Sequence, residues 1–410
     1  MTRPVLHATA PAGWLNDPNG SVVIDGVTHV FHQWNPDATT FGAMHWGHLV
    51  STDLVTWQHL GSALKPGSAD AEDAAGCWSG CASWGPEGVE FFYTAVGGAD
   101  HATQRPVLAL PTGPGLGTLR PVPGAVAEPP PGFSHDFRDP FVWGEPGRRR
   151  MLMSGRTASL EPVICVLDEA EDGWTHTRQL RRGDGLDLPG WLWECAHLMA
   201  GDEASALIVS CVEGHGHNER FSVWGATCPG QSLTGWTSVT ALDDAGRLYA
   251  PQVFAHPDGR TLMIGWVRTQ DDPAGSGREW TGALSLMREL TIVDGRPHQR
   301  PVAEIDRHTQ PIPLNTGRAT AAFAPQVCVE ARVRTRGTLR LRSGDRVWEL
   351  PLGEWTRGAE ARVFFDAGIV EVFACGRSWV VTDLSMERVD AVELTGGELG
   401  RIVALVPRQG

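Results

Sequence analysis

Short apolar runs punctuate this chain, and long amphipathic stretches are nearly absent. "SVVID", "HVFHQW", "VEFFYTAV", "RRMLMSG", "PVICVLD", "SALIVSCV", "FSVWGA" and "RTLMIGWV" follow one another, each bounded by Gly, Pro, Asp or Asn. Runs of this length, enriched in β-branched and aromatic residues, predict strands. A looser repetition accompanies them: "HWGHLVSTDLVTW", "ICVLDEAEDGWTH" and "FSVWGATCPGQSLTGWTSV" each close on a tryptophan, as the outer half of a four-stranded blade would. The pattern changes after "QPIPLNTG" at residues 310–317. Beyond it, "VCVEARVRT", "TLRLRSG", "EARVFFD", "IVEVFACG" and "RIVALVP" alternate apolar and polar positions, which predicts half-buried antiparallel strands. The expected fold is all-β: a propeller over residues 1–305, then a small β-sandwich over 312–410. Residues 111–133, "PTGPGLGTLRPVPGAVAEPPPGF", read as a long surface loop between two strand groups.

Composition narrows the function. A chain of 410 residues, 41% hydrophobic, has ample length for a buried core. A formal charge of −14 argues against nucleic acid and against anionic membrane surfaces. The N-terminus "MTRPVLHATAPAGW" lacks the apolar core of a secretory signal, and no stretch approaches a transmembrane run, so a cytoplasmic protein is expected. Of the eight cysteines, only Cys77 and Cys81 are close, without a second pair or a nearby histidine doublet. They read as reduced, buried side chains and not as a zinc site. His215 and His217, in "HGH" among Gly, Asn and Glu, read as a solvated loop.

Three carboxylates stand apart from the other acidic residues. Asp17 lies in "LNDPNG", Asp139 in "DFRDPFVW" and Glu194 in "WLWECAHL", each among aromatic or aliphatic neighbours and none in a charge run. By itself, Asp17 fits an Asx-turn before the first strand, and Arg138–Asp139 fits a pair at a strand end. Glu194 is harder to accommodate. In an extended segment it shares a face with Leu192, Ala196 and Leu198, so it must be paired or functional. An apolar setting raises a carboxyl pKa, as a general acid requires, while the polar turn around Asp17 favours the ionised form that a nucleophile requires. Two carboxyls with contrasting surroundings beside Trp-rich walls suit a glycosidase.

The motifs together resemble glycoside hydrolase family 32, the β-fructofuranosidases. "GWLNDPNG", "FHQWNP" with "HWGHLVSTDLVTW", "CWSGCA", "FRDP", "WEC", "YAPQVF", "IGWV" and "WTGALSLMREL" match its blocks in order, and "IVEVFACG" resembles the signature of its C-terminal sandwich. The resemblance implies a five-bladed β-propeller followed by a β-sandwich. It implies Asp17 as nucleophile, Glu194 as general acid/base and Asp139 as transition-state stabiliser, in a retaining hydrolysis of terminal β-fructofuranosyl units from sucrose and short fructans. Arg138 would keep Asp139 ionised and oriented. Asn16, Gln33, Phe41, Trp46, Trp78, Ser79, Tyr249 and Trp266 would complete the sugar pocket, although core packing is an equally good reading of Trp46. No cofactor or metal is implied, and the expected partner is a small sugar.

The chain departs from the family pattern at several positions. Phe41 stands where Trp is usual, Ala196-His197 replaces Pro-Asp after the acid, Cys81 replaces Ser, and Arg247 replaces the Asp before "YA". These changes bear on the leaving group and not on the three carboxylates. Fructosyl transfer, or exo-acting fructan hydrolysis, would use the same three groups. A non-catalytic fructan-binding protein would be expected to lack one of them, and an arabinan-type propeller would lack the "NDPNG" and "GHLVSTDLVTW" blocks.

Overall fold

The computed structural model describes residues 3–98, 101–243, 245–269, 277–311, 318–319, 328–334, 337–352, 360–385, 389–395 and 398–405. The Pro-containing break at 312–317 lies outside the described residues. The fold is all-β, and among the described residues no helix is long and apolar enough to cross a membrane.

Four successive antiparallel sheets follow chain order. The first holds β1 (Gly13–Ile24), β2 (Val27–Asn35), β3 (His45–Ser51) and β4 (Gln58–Leu64). The second holds β5 (Gly76–Gly85), β6 (Gly88–Gly97), β7 (Thr103–Pro111) and β8 (Leu119–Ala125). The third holds β9 (Phe133–Trp143), β10 (Arg150–Thr157), β11 (Pro162–Ala170) and β12 (Gly173–Arg181). The fourth holds β13 (Leu192–Met199), β14 (Ala204–Glu213), β15 (Arg220–Pro229) and β16 (Thr237–Asp243). Next come β17 (Leu248–Ala255) and β18 (Thr261–Val267), the short β19 (Trp280–Thr281) and β20 (Ala283–Leu284), then β21 (Arg288–Val293) and β22 (Arg296–Pro301). β17, β18, β21 and β22 form a further sheet, with β20 also on β18, while β19 crosses to pair in parallel with β1. That pairing ties the last of these sheets back to the first. Gly282, beside β19, has φ +82°, and a Cβ there would fall 1.8 Å from the Leu15 carbonyl oxygen, so only glycine fits the closure.

One expectation fails here. Residues 119–125 are not loop: they form β8, the outer edge of the second sheet, paired with β7. Proline lacks the N–H that an interior strand must donate, but an edge strand tolerates that loss, so a Pro-rich segment can still be a strand.

The leading strands β1, β5, β9, β13 and β17 touch in that order, and β17 returns to β1. Each carries at least one residue more than its ladder needs. In β13, Glu194 faces Ser210 and His197 faces Ile208, so three steps on one strand match two on the other. Equivalent slips lie between Leu15 and Pro18, Trp78 and Gly80, Arg138 and Phe141, and Tyr249 and Gln252. These are β-bulges, which leave an amide unpaired and re-aim side chains. Side chains of the preceding sheet take up those amides. Asn19 accepts from Gly80 N (3.2 Å), Thr94 from Asp139 N (2.9 Å), Ser154 from Ala196 N (3.4 Å) and Ser210 from Ala250 N (2.9 Å). Proline follows Asp17, Asp139 and Ala250, where a ladder N–H is not needed. Ala196 occupies the equivalent place in β13 and uses its N–H on Ser154.

The C-terminal part packs two sheets face to face. One holds β23 (Thr309–Pro311), β25 (Cys328–Arg334), β28 (Glu360–Asp366), β29 (Ile369–Ala374), β30 (Arg377–Thr382) and β32 (Glu398–Leu405); the other holds β24 (Arg318–Ala319), β26 (Thr338–Ser343), β27 (Arg346–Leu350) and β31 (Ala391–Thr395). Leu339, Leu341, Val363, Phe365, Val372 and Val392 fill the space between them. β30 also pairs with β16 at Asp243–Ser378, which joins this layer to the fourth sheet.

A buried polar network holds the two parts together. Asp366 accepts from the backbone N–H groups of Val5, Leu6 and His7 and lies 2.8 Å from His7 Nδ1. Glu371 lies 3.2 Å from His7 Nε2 and accepts from Leu286 N and from Arg288. Burial works to lower the His7 pKa, but hydrogen bonds to Asp366 and Glu371 and their charges outweigh it and lift the pKa from 6.5 to about 9. The same partners hold Asp366 and Glu371 below the usual carboxylate range against their own burial. Because the folded pKa of His7 is raised, its contribution is whole below about pH 6.5 and is lost as pH climbs through about 9. Denaturation midpoints should therefore fall between about pH 6 and 10 in the wild type. His7→Ala should start lower by about 3 kcal/mol and show a flatter profile over that window.

Candidate active site

The bulges aim polar side chains of the leading strands into a cavity of about 430 Å³. Asn16 and Asp17 come from β1, Trp78 and Ser79 from β5, Arg138 and Asp139 from β9, Glu194 from β13 and Tyr249 from β17. Gln33, Phe41 and Trp266 also line it, so of the expected residues only Trp46 is elsewhere. Trp46 is fully buried against Phe31, Phe91 and Tyr93, and its indole N–H donates to the Trp78 carbonyl (3.0 Å). It backs the Trp78 wall from the core. Phe41 is 43% exposed at the rim, edge-on to Trp14 and Trp78.

Asp17 is almost surrounded by donors. Asn16 Nδ2 reaches Oδ1 (3.1 Å); Gln33 Nε2 (3.1 Å) and Ser79 Oγ (2.6 Å) reach Oδ2. Trp14 Nε1 donates to Asn16 Oδ1 (2.9 Å) and fixes the amide orientation. From the sequence, the polar turn is expected to keep Asp17 in the ordinary carboxylate range. Burial wins instead: it pushes Asp17 up to about 6, with the Glu194 charge adding to it and the Ser79 and Asn16 bonds opposing it. Asp17 is therefore still mostly ionised at neutral pH.

Glu194 is paired and not stranded on an apolar face. Arg138 donates to Oε1 through Nε (3.1 Å) and a terminal nitrogen (2.9 Å), and the Tyr249 hydroxyl donates to Oε2 (2.6 Å). Arg138 also donates to Gln104 Oε1 (3.0 Å) and Asp136 Oδ1 (2.8 Å). Its Nε stands 4.0 Å from Asp139, beyond hydrogen-bond reach, so it acts on that carboxylate through its charge. Cys195 N donates to Asp139 Oδ2 (3.0 Å). Burial pushes Asp139 up to about 7; the Arg138 charge opposes this and the Glu194 charge adds to it. Asp139 and Cys195 sit at φ 60° and 47°, in the left-handed region that non-glycine residues seldom adopt. These two bulges hold strained backbone at the site.

Five lining residues were not among the expected site residues: Trp14, His101, Gln104, Asp136 and Phe221. Asp136 carried a signal, because it lies two residues before Arg138 and a strand places both on one face. Gln104, His101 and Phe221 carried none, since distant segments bring them in. His197, which replaces the acid of the family pattern, is buried, with Nε2 3.1 Å from Gln252 Nε2 and Nδ1 accepting from Val253 N.

Residues 7–301 match the glycosyl hydrolases family 32 N-terminal domain, and the chain belongs to that family. It is 33% identical over 316 residues to a sucrose-6-phosphate hydrolase of Escherichia coli, covering 74% of this chain and 65% of that protein. It is likewise 33% identical over 325 residues to a raffinose invertase of Escherichia coli, covering 75% and 67%. The chain thus spans about two thirds of the length of these relatives. Among solved structures, a sucrose-6-phosphate hydrolase from Lactobacillus gasseri superposes with a TM-score of 0.82 at 22% identity, over 98% of this chain and 93% of that one. Fructan 1-exohydrolase IIa from Cichorium intybus gives 0.76 at 23%, over 98% and 97%. Both likenesses concern the fold.

The contrast between Trp46 and Phe41 can be checked by thermal unfolding. Trp46→Ala should cost about 3–5 kcal/mol, as for a fully buried aromatic. Phe41→Ala at the rim should stay within about 0.5 kcal/mol of the wild type.

Proposed function

We propose that the protein is a retaining β-fructofuranosidase that releases terminal β-D-fructofuranosyl units from sucrose, with short fructans as further substrates. The observation that carries this reading is the meeting of Asp17, Asp139 and Glu194 in one cavity, with Arg138 and Tyr249 on Glu194. The names of the relatives, sucrose-6-phosphate hydrolase and raffinose invertase, support it. We further propose that the five sheets around β1, β5, β9, β13 and β17 form a five-bladed β-propeller over residues 1–305, with the C-terminal sheets as a β-sandwich over 312–410. Two sheet pairings bear on that division: Thr309–Pro311 already pairs with β32, and β16 reaches β30.

In the reaction, ionised Asp17 attacks C2 of the fructosyl unit while Glu194 gives a proton to the glycosidic oxygen. The leaving sugar departs as an alcohol and a fructosyl ester of Asp17 remains. Glu194 then takes a proton from a water as its oxygen attacks C2; the C2–Asp17 ester bond breaks, the Asp17 carboxylate is restored, and fructose leaves with retained configuration. Glu194 accepts from Arg138 and Tyr249, which hold its carboxylate in place for the base stage. Asp139, fixed by Cys195 N–H, would bond ring hydroxyls as the oxocarbenium-like state develops, and Asn16 and Gln33 would bond others. Trp78, Phe41 and Trp266 would cover apolar ring edges and exclude water.

Sugar analysis after incubation with sucrose tests this. Equal amounts of glucose and fructose are expected, and Asp17→Asn or Glu194→Gln should each lower kcat by at least about 10³-fold. Full activity in either variant would refute the assignment. A second expectation concerns pH. Since Asp17 must be ionised, kcat/KM should fall as pH drops below about 6. The Ser79 bond lowers the Asp17 pKa, so Ser79→Ala should move that acid limb to higher pH.

A further inference from the structure

We propose that Asp136 is a positioning residue for proton transfer at Glu194: it shares the Arg138 guanidinium with Glu194, so that this cation steadies the carboxylate without preventing its protonation. This rests on the β-fructofuranosidase reading and adds to its acid step a residue outside the three carboxylates.

Asp136 lines the catalytic cavity and is otherwise buried. Its Oδ1 accepts from one terminal nitrogen of Arg138 (2.8 Å), and the same nitrogen donates to Gln104 (3.0 Å). The other edge of Arg138, Nε and the second terminal nitrogen, serves Glu194 Oε1 (3.1 and 2.9 Å). On its far side, Asp136 Oδ2 meets Arg156 through Nε and a terminal nitrogen, both at 2.5 Å. The Arg156 guanidinium rests 5.0 Å from the Trp191 ring centroid. Glu194, Arg138, Asp136 and Arg156 therefore form one row of alternating charge, from the acid/base carboxylate to a partly exposed arginine. Burial works against ionisation of Asp136, but the charges and hydrogen bonds of Arg138 and Arg156 outweigh it and hold its carboxyl below the usual range. Asp136 thus keeps its charge where Asp17, at about 6, and Asp139, at about 7, titrate.

Glu194 has two tasks with opposite demands. It must give a proton to the glycosidic oxygen and later take one from water. Paired N–H bonds from a guanidinium favour the charged carboxylate and so oppose the first task. A second carboxylate on the same guanidinium reduces that bias, because its negative charge offsets part of the cation. Arg156 limits the correction, since its own charge offsets part of Asp136. Neutralising Asp136 and neutralising Arg156 must therefore act on Glu194 in opposite directions, which a role confined to packing would not produce. The other titratable groups that face this row are Asp17 from β1, Asp139 beside Arg138, Cys195 from β13, Cys211 from β14, Tyr249 from β17 and His101 at the cavity wall. Neither change alters any of them.

The test is the pH profile of kcat/KM on sucrose for the wild type, Asp136→Asn and Arg156→Gln, since that ratio reports the essential groups of the free enzyme. Asp136→Asn keeps the shape of the side chain and removes its charge. Its alkaline limb should move to lower pH by about one unit, about a tenfold loss on the descending side, as for a unit charge several ångströms away. The alkaline limb of Arg156→Gln should move to higher pH by about half a unit. The acid limb, set by Asp17, should stay within about 0.3 units in both. A fructoside with a nitrophenolate leaving group, which departs without a proton, serves as control: at the same alkaline pH, Asp136→Asn should cost it less than about twofold. An alkaline limb unmoved in either variant, shifts of the same sign in both, or equal losses on the two fructosides would overturn the proposal. Should Asp136→Asn fail to fold, the direction of the Arg156→Gln shift decides alone. Hydrolysis of neither fructoside by the wild type would instead overturn the β-fructofuranosidase reading beneath it.

Discussion

The arrangement depends on one constraint: five leading strands converge, and each must interrupt its ladder at the same height. A continuous ladder would spend every amide on its neighbour and alternate side chains regularly between two faces. An extra residue in each of these strands breaks both rules at once. It turns Asp17, Ser79, Asp139, Glu194 and Tyr249 toward a common space and frees amides beside them. An unsatisfied buried amide is costly, so the neighbouring sheet must supply an acceptor. Asn19, Thr94, Ser154 and Ser210 do so for successive strands. The same side chains thus register one sheet on the next and shape the site.

Electrostatics follows from that geometry. Several carboxylates buried side by side repel one another and resist ionisation. Arg138 is the main counterweight, and its fork is divided between Glu194 and Asp136, with Gln104 as a neutral third acceptor. Asp139 receives a backbone amide and only the more distant Arg138 charge, while Asp17 is held by neutral donors. Burial accordingly raises both, Asp17 to about 6 and Asp139 to about 7. Burial and what the fold places beside each carboxylate thus raise both above the ordinary carboxylate range.

A second polar centre serves the assembly of the whole. His7, Arg288, Asp366, Glu371, Ser378 and Asp243 are buried between the first residues of the chain, the later strands of the first part and the C-terminal sheet. Buried charges of this kind need every partner present, so the network holds the two parts in one relative position. The Asp243–Ser378 bridge and the His7–Asp366 contact approach it from separate segments of the chain. The C-terminal layer is in this way tied to the first residues of the chain and to the fourth sheet.

The sequence by itself determined the all-β class, because short runs rich in β-branched residues can form little else. It also singled out Asp17, Asp139 and Glu194, because carboxylates among aromatic and aliphatic neighbours need a reason to be there. Only the tertiary structure decided what each touches. The bulge after Glu194 ends the strict alternation on which a face assignment relies, so the expected apolar face gives way to Arg138 and Tyr249. Trp46 and Trp78 look alike in sequence, yet one is core and the other is wall, since burial depends on which sheet lies behind a strand. Gln104 and Phe221 enter from strands whose local pattern reports only pairing. The Pro-rich stretch at 119–125 is a strand because its position at a sheet edge removes the need for the missing N–H. Local pattern reports what a segment can form, whereas charge state and side-chain role depend on residues far away in the chain.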